Sequence, residues 1–342
     1  MDLRKLEFVL RRTAVSILVL IGLTVITFII ARVIPSNPAA LYIGPKARPA
    51  DIERVKKQLG LDRPLPVQYA VYMRDLFRGD LGTSISTKRP ITQEIGARLP
   101  ATMELLFYAI LLTIFIGIPL GVLSAHWQGT GGDIFVRWFS ILGVSLPAFW
   151  LGLLLQVLLV RNLGLLPLSG QYDADLRFTS PIEHISGFMS LDSLITWNLI
   201  ALKDVMWHLV LPVITLAAYP ISLVARMTRA TALEVLSQDY IRLSKAYGLK
   251  NTYITFVYGL KNAIGPTLTV LGLTMAYMLT GSFFVEIVFN WPGLGQLTVR
   301  SLLNLDYPAI MGITLFGAVG YVIINLFVDL AQAWIDPRIS VR

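Results

Sequence analysis

Six long apolar stretches constrain this chain of 342 residues more than any other feature of its sequence. They run approximately over residues 14–33, 101–125, 139–160, 209–224, 265–288 and 309–334. A transmembrane helix needs about 20 predominantly apolar residues. Charged residues make up only 15% of the chain, against about 25% in soluble domains. The sequence therefore predicts an all-α polytopic membrane protein with six transmembrane helices.

The distribution of Lys and Arg predicts the orientation of these spans. Basic residues cluster in the N-terminal tail, in the bridge between the fourth and fifth stretches and in the C-terminal tail. Cytoplasmic flanks carry such an excess, so we expect both termini in the cytoplasm. Residues 34–100 also hold eleven Lys and Arg, but segments longer than about 60 residues cross the membrane largely regardless of charge.

This orientation divides the chain into three parts. Residues 1–33 are expected to form an amphipathic helix at 2–12 on the membrane surface, followed by the first span. Residues 34–100 form an extracytoplasmic segment, in which Asp51 to Gly60 reads as a short helix ended by Gly60. Residues 101–342 form a core of five spans with further external segments at 161–208 and about 289–308, and with a cytoplasmic loop at 225–262.

Several kinds of chemistry are disfavoured by what the sequence lacks. It has no Cys and only three well-separated His residues, which argues against a disulfide framework or a His-based metal site. No Gly-x4-Gly-Lys-Ser/Thr loop is present, so the chain is not expected to bind ATP by that route. The cluster Gly129-Thr-Gly-Gly132 is interpreted as a cytoplasmic turn. We expect a non-enzymatic protein without a cofactor, a metal or a nucleic-acid partner.

Three acidic residues, Glu104, Glu286 and Asp329, lie near the ends of predicted spans. Acids within a membrane suggest proton relays, which keeps an ion-coupled carrier open as an alternative. Simpler roles are favoured for each. Glu104 is expected to interact with a helix N-terminal dipole just after Pro100, Glu286 to reach the membrane interface, and Asp329 to lie near the cytoplasmic end.

The bridge from Arg226 to Lys261 is unusually long for a connection between membrane helices. Within residues 239–249, Tyr240, Leu243 and Tyr247 recur at helical spacing on one face. Ala246 and Gly248 are small enough to let a partner approach, and Gly248 is expected to end the helix. A docking helix for another protein is favoured over a basic helix lying on anionic lipid.

The segment Asp-Tyr-x-Arg-x-Ser-x-Ala-x-Gly-Leu resembles the cytoplasmic loop of permease subunits of binding-protein-dependent ABC importers. That loop has a Glu-Ala-Ala-x3-Gly consensus and forms a coupling helix that docks on the ATPase subunit. Arg242, Leu243 and Ser244 replace Glu-Ala-Ala here, as is typical of the peptide-importer branch. By this resemblance the coupling residues are Asp239, Tyr240, Ile241, Arg242, Leu243, Ser244, Ala246, Gly248 and Leu249.

Further segments along about nine-tenths of the chain resemble the B-type permease of dipeptide and oligopeptide importers. They lie at 59–69, 79–84, 98–105, 149–152, 208–212, 286–295 and 336–339. The resemblance implies the type I ABC importer permease fold in a bacterial or archaeal inner membrane, with an extracytoplasmic insertion after the first helix. It also implies a second homologous permease, two ATPases that bind ATP and Mg²⁺, an extracytoplasmic binding protein and membrane lipid as partners.

The turn after the fifth stretch is the second candidate functional segment. Its candidate residues for an outer gate on the binding-protein side are Glu286, Trp291, Pro292, Gly293 and Gly295. A tight turn with Trp291 as an interfacial anchor is an equal alternative. Two departures from the family pattern, at residues 34–38 and 171–205, leave the substrate open among peptides, oligosaccharides and nickel chelates. A non-transporting scaffold is a further alternative.

Overall fold

The chain is described by a computed structural model over residues 3–33, 48–58 and 60–335. These residues are almost entirely helical and contain no named strand. The α-helices, in chain order, are α1 (Leu3–Val33), α2 (Pro49–Gln58), α3 (Leu65–Phe77), α4 (Ile91–Leu112), α5 (Ile118–His126), α6 (Gly131–Ser145), α7 (Ala148–Leu155), α8 (Leu176–Thr179), α9 (Met189–Ile195), α10 (Leu199–Leu236), α11 (Asp239–Ala246), α12 (Asn251–Tyr253), α13 (Leu260–Val288), α14 (Leu294–Leu303) and α15 (Tyr307–Ile335).

Three π-helical turns link some of these elements into longer rods. Thr113–Gly117 joins α4 to α5, Gln156–Asn162 follows α7, and Ile254–Gly259 joins α12 to α13. Five resulting helices are long and apolar enough to cross a membrane: Arg11–Arg32, Ile91–His126, Leu199–Leu236, Asn251–Val288 and Tyr307–Val328. The prediction of an all-α polytopic membrane protein is therefore confirmed.

The third predicted span differs from a simple membrane helix. It is a pair of helices, α6 and α7, whose axes meet at 109°. The break falls at Leu146 and Pro147, which have extended backbone with ψ of 125° and 135°. Proline disfavours helical backbone in the residue before it, which explains the position of the break. Counting the pair as one span gives six, so the stretch at 139–160 is broken near its first third.

Other boundaries also shift from those expected. Helix α4 begins at Ile91 and carries Pro100 inside it, ten residues before the predicted start of the second span. Helix α10 begins at Leu199, within the expected external segment 161–208, and includes 38 residues. At about 1.5 Å per residue it is nearly 60 Å long, roughly twice the thickness of the hydrocarbon core. It therefore extends well beyond the membrane.

Two local predictions near the N-terminus have different outcomes. The helix expected at 51–60 is present as α2, and Gly60 follows it with a φ of +62°, as the C-terminal stop requires. The amphipathic helix expected at 2–12 is not a separate element, because α1 runs without a break from Leu3 to Val33.

The chain divides into two compact units. One contains the described residues of Met1–Leu99 and Gln296–Val322, and the other those of Pro100–Gly295 and Ile323–Arg342. In the second unit α10 is the central helix, packed against α5, α6 and α13. A Cβ added at Gly121 would lie 2.5 Å from Thr228, and one at Gly143 would lie 2.0 Å from the Ser222 hydroxyl. Such small residues permit the close helix packing found in membranes.

In the first unit, α1 packs against α3 through aromatic side chains. The ring of Phe28 lies 5.3 Å from that of Tyr69 and 5.9 Å from that of Tyr72, measured between centroids. The Tyr69 hydroxyl is also hydrogen-bonded to Thr24 at 2.9 Å. These contacts attach part of the segment after the first span to the end of that span.

Asp306, the residue before α15, is buried in this unit. Its side chain connects the start of α15 to the loop at residues 84–86. Its carboxylate accepts hydrogen bonds from the hydroxyls of Ser84 (2.5 Å) and Ser86 (2.8 Å) and from the amides of Ile85 and Ser86 (3.0 Å each). Burial by itself raises the pKa of Asp306. The four donors together outweigh it and hold the pKa below its ordinary value.

We expect Asp306 to stabilise the fold at neutral pH by about 1–3 kcal/mol and to lose this contribution in acid. A carboxyl with a lowered folded-state pKa stabilises above its unfolded pKa, near pH 4, and stops doing so as the pH falls through the folded value. Thermal unfolding between pH 3 and pH 7 measures the effect. Asp306→Asn should be less stable at pH 7 and less sensitive to acid; a variant that matches the wild-type profile would contradict this account.

Candidate functional site

The polar segment 239–249 folds as the short helix α11, separated from α10 only by Ser237 and Gln238. Gln238 has extended backbone, with φ −70° and ψ 153°, which turns the chain out of α10 before the new helix begins. The side chain of Ile241 is fully buried, and α11 contacts the π-helical turn Ile254–Gly259. Ile241 is thus the buried apolar residue on the side of the helix that packs inward.

The remaining apolar side chains of α11 and its end are turned to the outside. Leu243 is 57% exposed, Tyr240 is 44% exposed and Tyr247 is 80% exposed. Ala246 is exposed as well. The Tyr240 hydroxyl accepts a hydrogen bond from the Asn262 amide at 3.3 Å, which restrains its ring. A run of exposed apolar groups on a short polar helix fits a protein contact better than a solvated surface.

Polar groups on α11 mostly satisfy one another. Arg242 forms an exposed ion pair with Asp239 at 3.3 Å, a type worth little to stability. The Ser244 hydroxyl donates to the carbonyl of Tyr240 at 2.8 Å. The side chains of Asp239 and Arg242 are therefore held by a weak contact that a partner could replace.

Gly248 ends this helix as expected. Its φ is +80°, and its amide donates to the carbonyl of Lys245 at 2.9 Å, while Leu249 donates to Ser244 at 3.3 Å. A Cβ at Gly248 would meet nothing within 4 Å. The requirement for glycine at this position is thus conformational rather than steric.

A partly buried ion pair near the end of α10 was not predicted from the sequence. Arg229 donates from Nε and Nη2 to the two carboxylate oxygens of Asp133, at 2.7 and 2.9 Å. The Ser124 hydroxyl (2.7 Å) and the Gly129 amide (3.1 Å) donate to the same carboxylate. This cluster joins α5, the turn after it, α6 and α10, about two turns before α10 ends at Leu236. It fixes the end of the helix that carries the candidate docking segment.

The residues of the second candidate segment are brought together around Glu286. Its carboxylate is buried and accepts hydrogen bonds from the Thr102 hydroxyl at 2.7 Å and the Gly295 amide at 2.6 Å. Thr102 in turn accepts a hydrogen bond from the Leu294 amide at 2.8 Å. The backbone amides of Leu294 and Gly295, the first two residues of α14, thus both have acceptors. A carboxylate is well suited to this position, because the N-terminus of a helix has free N–H groups and a partial positive charge.

Two glycines make this arrangement sterically possible. A Cβ at Gly293 would lie 2.4 Å from the Thr102 hydroxyl and 2.5 Å from the Glu286 carboxylate. A Cβ at Gly295 would lie 2.5 Å from the backbone of Phe283. Pro292, which precedes both glycines, is exposed, so the turn presents its tip outward and keeps its base tightly packed.

The simpler roles expected for Trp291 and Glu286 are wrong. Trp291 is fully buried, and its indole nitrogen donates to the carbonyl of Ala101 at 2.8 Å, so it is not an interfacial anchor. Glu286 does not reach outward to the membrane interface, because its carboxylate is held inside by Thr102 and Gly295. The alternation of apolar residues could not show this, since Glu286 and Thr102 are 184 positions apart.

The role expected for Glu104 is also wrong. Because α4 begins at Ile91, Glu104 lies in the middle of that helix and not in its first turn. Its buried carboxylate accepts hydrogen bonds from the Ser190 amide at 2.8 Å and the Ser190 hydroxyl at 2.6 Å. It therefore binds the start of α9. The side chain of Asp329 lies outside the described part of the structure.

The described residues offer no metal centre, since no three His, Asp or Glu side chains among them are arranged to hold an ion. The buried carboxylates of Glu104, Asp133 and Glu286 are each occupied by protein donors. What the geometry does offer is a protruding helix with exposed apolar groups and a separate, tightly hydrogen-bonded turn. Both suit protein contacts.

Comparison with known proteins decides the family. A family model described as the binding-protein-dependent transport system inner membrane component matches residues 117–341. A second model, for the N-terminal part of such membrane components, matches residues 5–106. The chain belongs to this family. It is a multi-pass inner-membrane subunit of a binding-protein-dependent transport system, which implies ATPase and substrate-binding partners.

Relatives of this family member are similar over almost their whole length. The probable D,D-dipeptide transport system permease protein of Escherichia coli is 48% identical over 95% of this chain and 94% of its own. A dipeptide transport system permease protein of Alkalihalophilus pseudofirmus is 40% identical over 98% and 99%. The oligopeptide transport system permease protein of Bacillus subtilis is 37% identical over 97% and 99%.

Proposed function

We propose that this chain forms half of the translocation pathway for di- or oligopeptides in an ATP-driven importer. The names of the three relatives support a peptide substrate, and their similarity extends across both units of the chain. The other half is a second, homologous permease, so that the pore is a heterodimer. A binding protein delivers the peptide from outside, and both termini of the chain lie in the cytoplasm.

The observation that carries the proposal is the exposure of α11. Its buried Ile241 holds it in place, while Tyr240, Leu243 and Ala246 remain open to a partner. We assign this face to the cleft of an ATPase subunit, with Asp239, Arg242 and Ser244 at its edge and with Gly248 and Leu249 ending the helix. ATP and Mg²⁺ are bound by the two ATPase partners, and this chain supplies no catalytic residue.

Transport then follows from a two-state equilibrium. ATP binds better to the closed ATPase dimer, and this difference in affinity shifts the population toward one state of the pore. Movement of α11 passes into α10, whose end is held by the Asp133–Arg229 pair. Because α10 is the central helix of its unit, the displacement reaches the other spans of that unit as a rigid-body motion.

We assign the turn around Glu286 to the external side, where it closes or senses the outer mouth near the binding protein. Its base, Gly293 and Gly295 against Glu286 and Thr102, is packed too tightly to flex alone. The exposed Pro292 offers the contact point. The turn therefore moves as one body with the start of α14.

Uptake into proteoliposomes that contain the complete complex tests the function. With the binding protein outside and ATP inside, a labelled dipeptide should accumulate, and removal of either ATP or the binding protein should abolish this accumulation. An imposed proton gradient should not replace ATP. Accumulation driven by the gradient alone would indicate an ion-coupled carrier, and flux of only oligosaccharides or nickel chelates would overturn the peptide assignment.

A further inference from the structure

A cavity of about 500 Å³ lies within the unit formed by residues 1–99 and 296–322, and the proposed transport mechanism does not use it. This volume is in the range of small-molecule binding sites. The residues that line it include the apolar or aromatic Ala31, Tyr72, Tyr307 and Met311 and the cations Arg32, Lys57 and Arg63. The lining thus combines apolar side chains with several positive charges.

The cavity keeps a net positive charge, because Arg32, Lys57, Arg63 and Arg74 line it together with only two carboxylates, those of Asp75 and Asp80. Arg74 is paired with Asp75 at 2.8 Å, and Asp80 accepts a hydrogen bond from the Gly82 amide, which leaves its negative charge in place. Among the described residues no carboxylate lies within salt-bridge distance of the other three cations. Residues 34–47, which connect α1 to this region, contain no Asp or Glu.

Of these cations, Arg32 gives the strongest indication of an anionic ligand, because its side chain is only partly exposed. Its guanidinium lies 6.0 Å from the centroid of the Phe28 ring, a cation–π contact that does not neutralise its charge. A partly buried charge without a counter-ion is costly. An anionic ligand in the cavity would remove that cost.

Gln68 supplies a second, independent indication. Its Nε2 donates to the carbonyls of Arg63 at 2.8 Å and Leu61 at 3.3 Å, which fixes the orientation of the amide. Its Oε1 is buried and has no hydrogen-bond partner within the described ranges. Buried acceptors in folded proteins are normally hydrogen-bonded to a donor. The ligand should therefore carry both an anionic group and a hydrogen-bond donor.

The position of the cavity indicates what that ligand is. Arg32 is the last residue of the candidate span Arg11–Arg32, where hydrocarbon gives way to lipid headgroups whichever way the span is oriented. Ile26, Ile29 and Ile30 on the preceding turns of α1 are exposed. An acyl chain could pack along them while its headgroup enters the cavity.

We propose that this cavity binds the headgroup of a phospholipid that carries a hydrogen-bond donor, as phosphatidylglycerol does. The phosphate lies between Arg32, Lys57 and Arg63, and a glycerol hydroxyl donates to Gln68 Oε1. Arginine suits this role because its fork of donors matches phosphate oxygens. The bound lipid attaches α1 to α2 and α3 at the membrane surface.

Native mass spectrometry of the delipidated, detergent-solubilised complex tests this site. Phosphatidylglycerol should bind at least ten-fold more tightly than phosphatidylcholine with the same acyl chains, because choline has no hydrogen-bond donor. Arg32→Gln should weaken phosphatidylglycerol binding about ten-fold, the usual effect of losing a charge-assisted hydrogen bond. The double variant Lys57→Gln/Arg63→Gln changes only exposed side chains, so its folding is not in question, and it should show a similar loss.

Arg89→Gln is the matched control, since Arg89 is exposed in the same unit and does not line the cavity. It should bind phosphatidylglycerol like the wild type. Equal binding of both lipids, or wild-type affinity in Arg32→Gln and in the double variant, would overturn the proposal. Displacement of the lipid by inorganic phosphate or by a free dipeptide at similar concentration would show a site for small anions instead and would equally overturn it.

Discussion

Replacement of Ala246 by Glu is expected to reduce ATP-driven transport at least 30-fold while the two permease subunits still assemble in the membrane. Ala246 is exposed on α11, so the larger side chain does not disturb this chain. In a docked interface, a carboxylate without a partner would be desolvated. Disruption of an interface centre costs about 2 kcal/mol or more, which corresponds to about 30-fold in affinity. Leu243→Glu should act in the same way.

The measurement is the ratio of peptide uptake and of transport-coupled ATP hydrolysis to the amount of the permease pair in the membrane. Ala70→Glu is the matched control because Ala70 is exposed on α3, in the other unit, and it should transport normally. Gly248→Ala should have a smaller effect, since it costs only about 1 kcal/mol of backbone strain at a positive φ. Normal transport in both glutamate variants would contradict the docking assignment.

Replacement of Glu286 by Ala is expected to destabilise the complex by about 2–5 kcal/mol. The change leaves the Gly295 amide and the Thr102 hydroxyl buried without their acceptor, and each such loss costs about 1–3 kcal/mol. The turn that contains Trp291 and Gly293 would lose the contact that fixes its base. A lower thermal unfolding midpoint and a reduced yield of folded complex should follow.

Glu183→Ala is the control for this loss, because Glu183 is exposed in the same unit and its removal should leave the unfolding midpoint unchanged. Glu286→Gln separates a structural role from a proton relay. It keeps one oxygen acceptor and the side-chain shape, so substantial ATP-driven transport should remain. Complete loss of transport in a folded Glu286→Gln complex would instead support an ion-coupled mechanism.

The parts of the fold that depend on local sequence were predictable. Apolar stretches of sufficient length indicated the spans, and Gly60 and Gly248 marked helix ends because a positive φ favours glycine at such positions. The break at Pro147 was within reach of the same reasoning, since proline restricts the residue before it. Five prolines lie in predicted spans, however, and the sequence alone does not distinguish the one that bends its helix.

The contacts of the buried acids were not predictable in this way. Glu104 meets Ser190, and Arg229 meets Asp133, across 86 and 96 positions of sequence. Hydropathy treats each acid as an isolated charge near a membrane, and so it suggested roles at interfaces and helix ends. Only the packing of α4, α6 and α10 shows that Glu104 is paired with the buried Ser190 and that Asp133 is paired with the partly buried Arg229. The exposure of α11, by contrast, agrees with the polar character of residues 239–249 between two apolar stretches.

Cysteine cross-linking at α11 tests the central claim most directly. The chain contains no Cys, so a single Leu243→Cys substitution gives one reactive position on the exposed face of the helix. A short bifunctional thiol–amine reagent should join it to an ATPase subunit, with a yield that changes when ATP is bound. The same substitution at Ala70 should give no such product. Absence of any ATPase adduct at Leu243→Cys in an actively transporting complex would contradict the account.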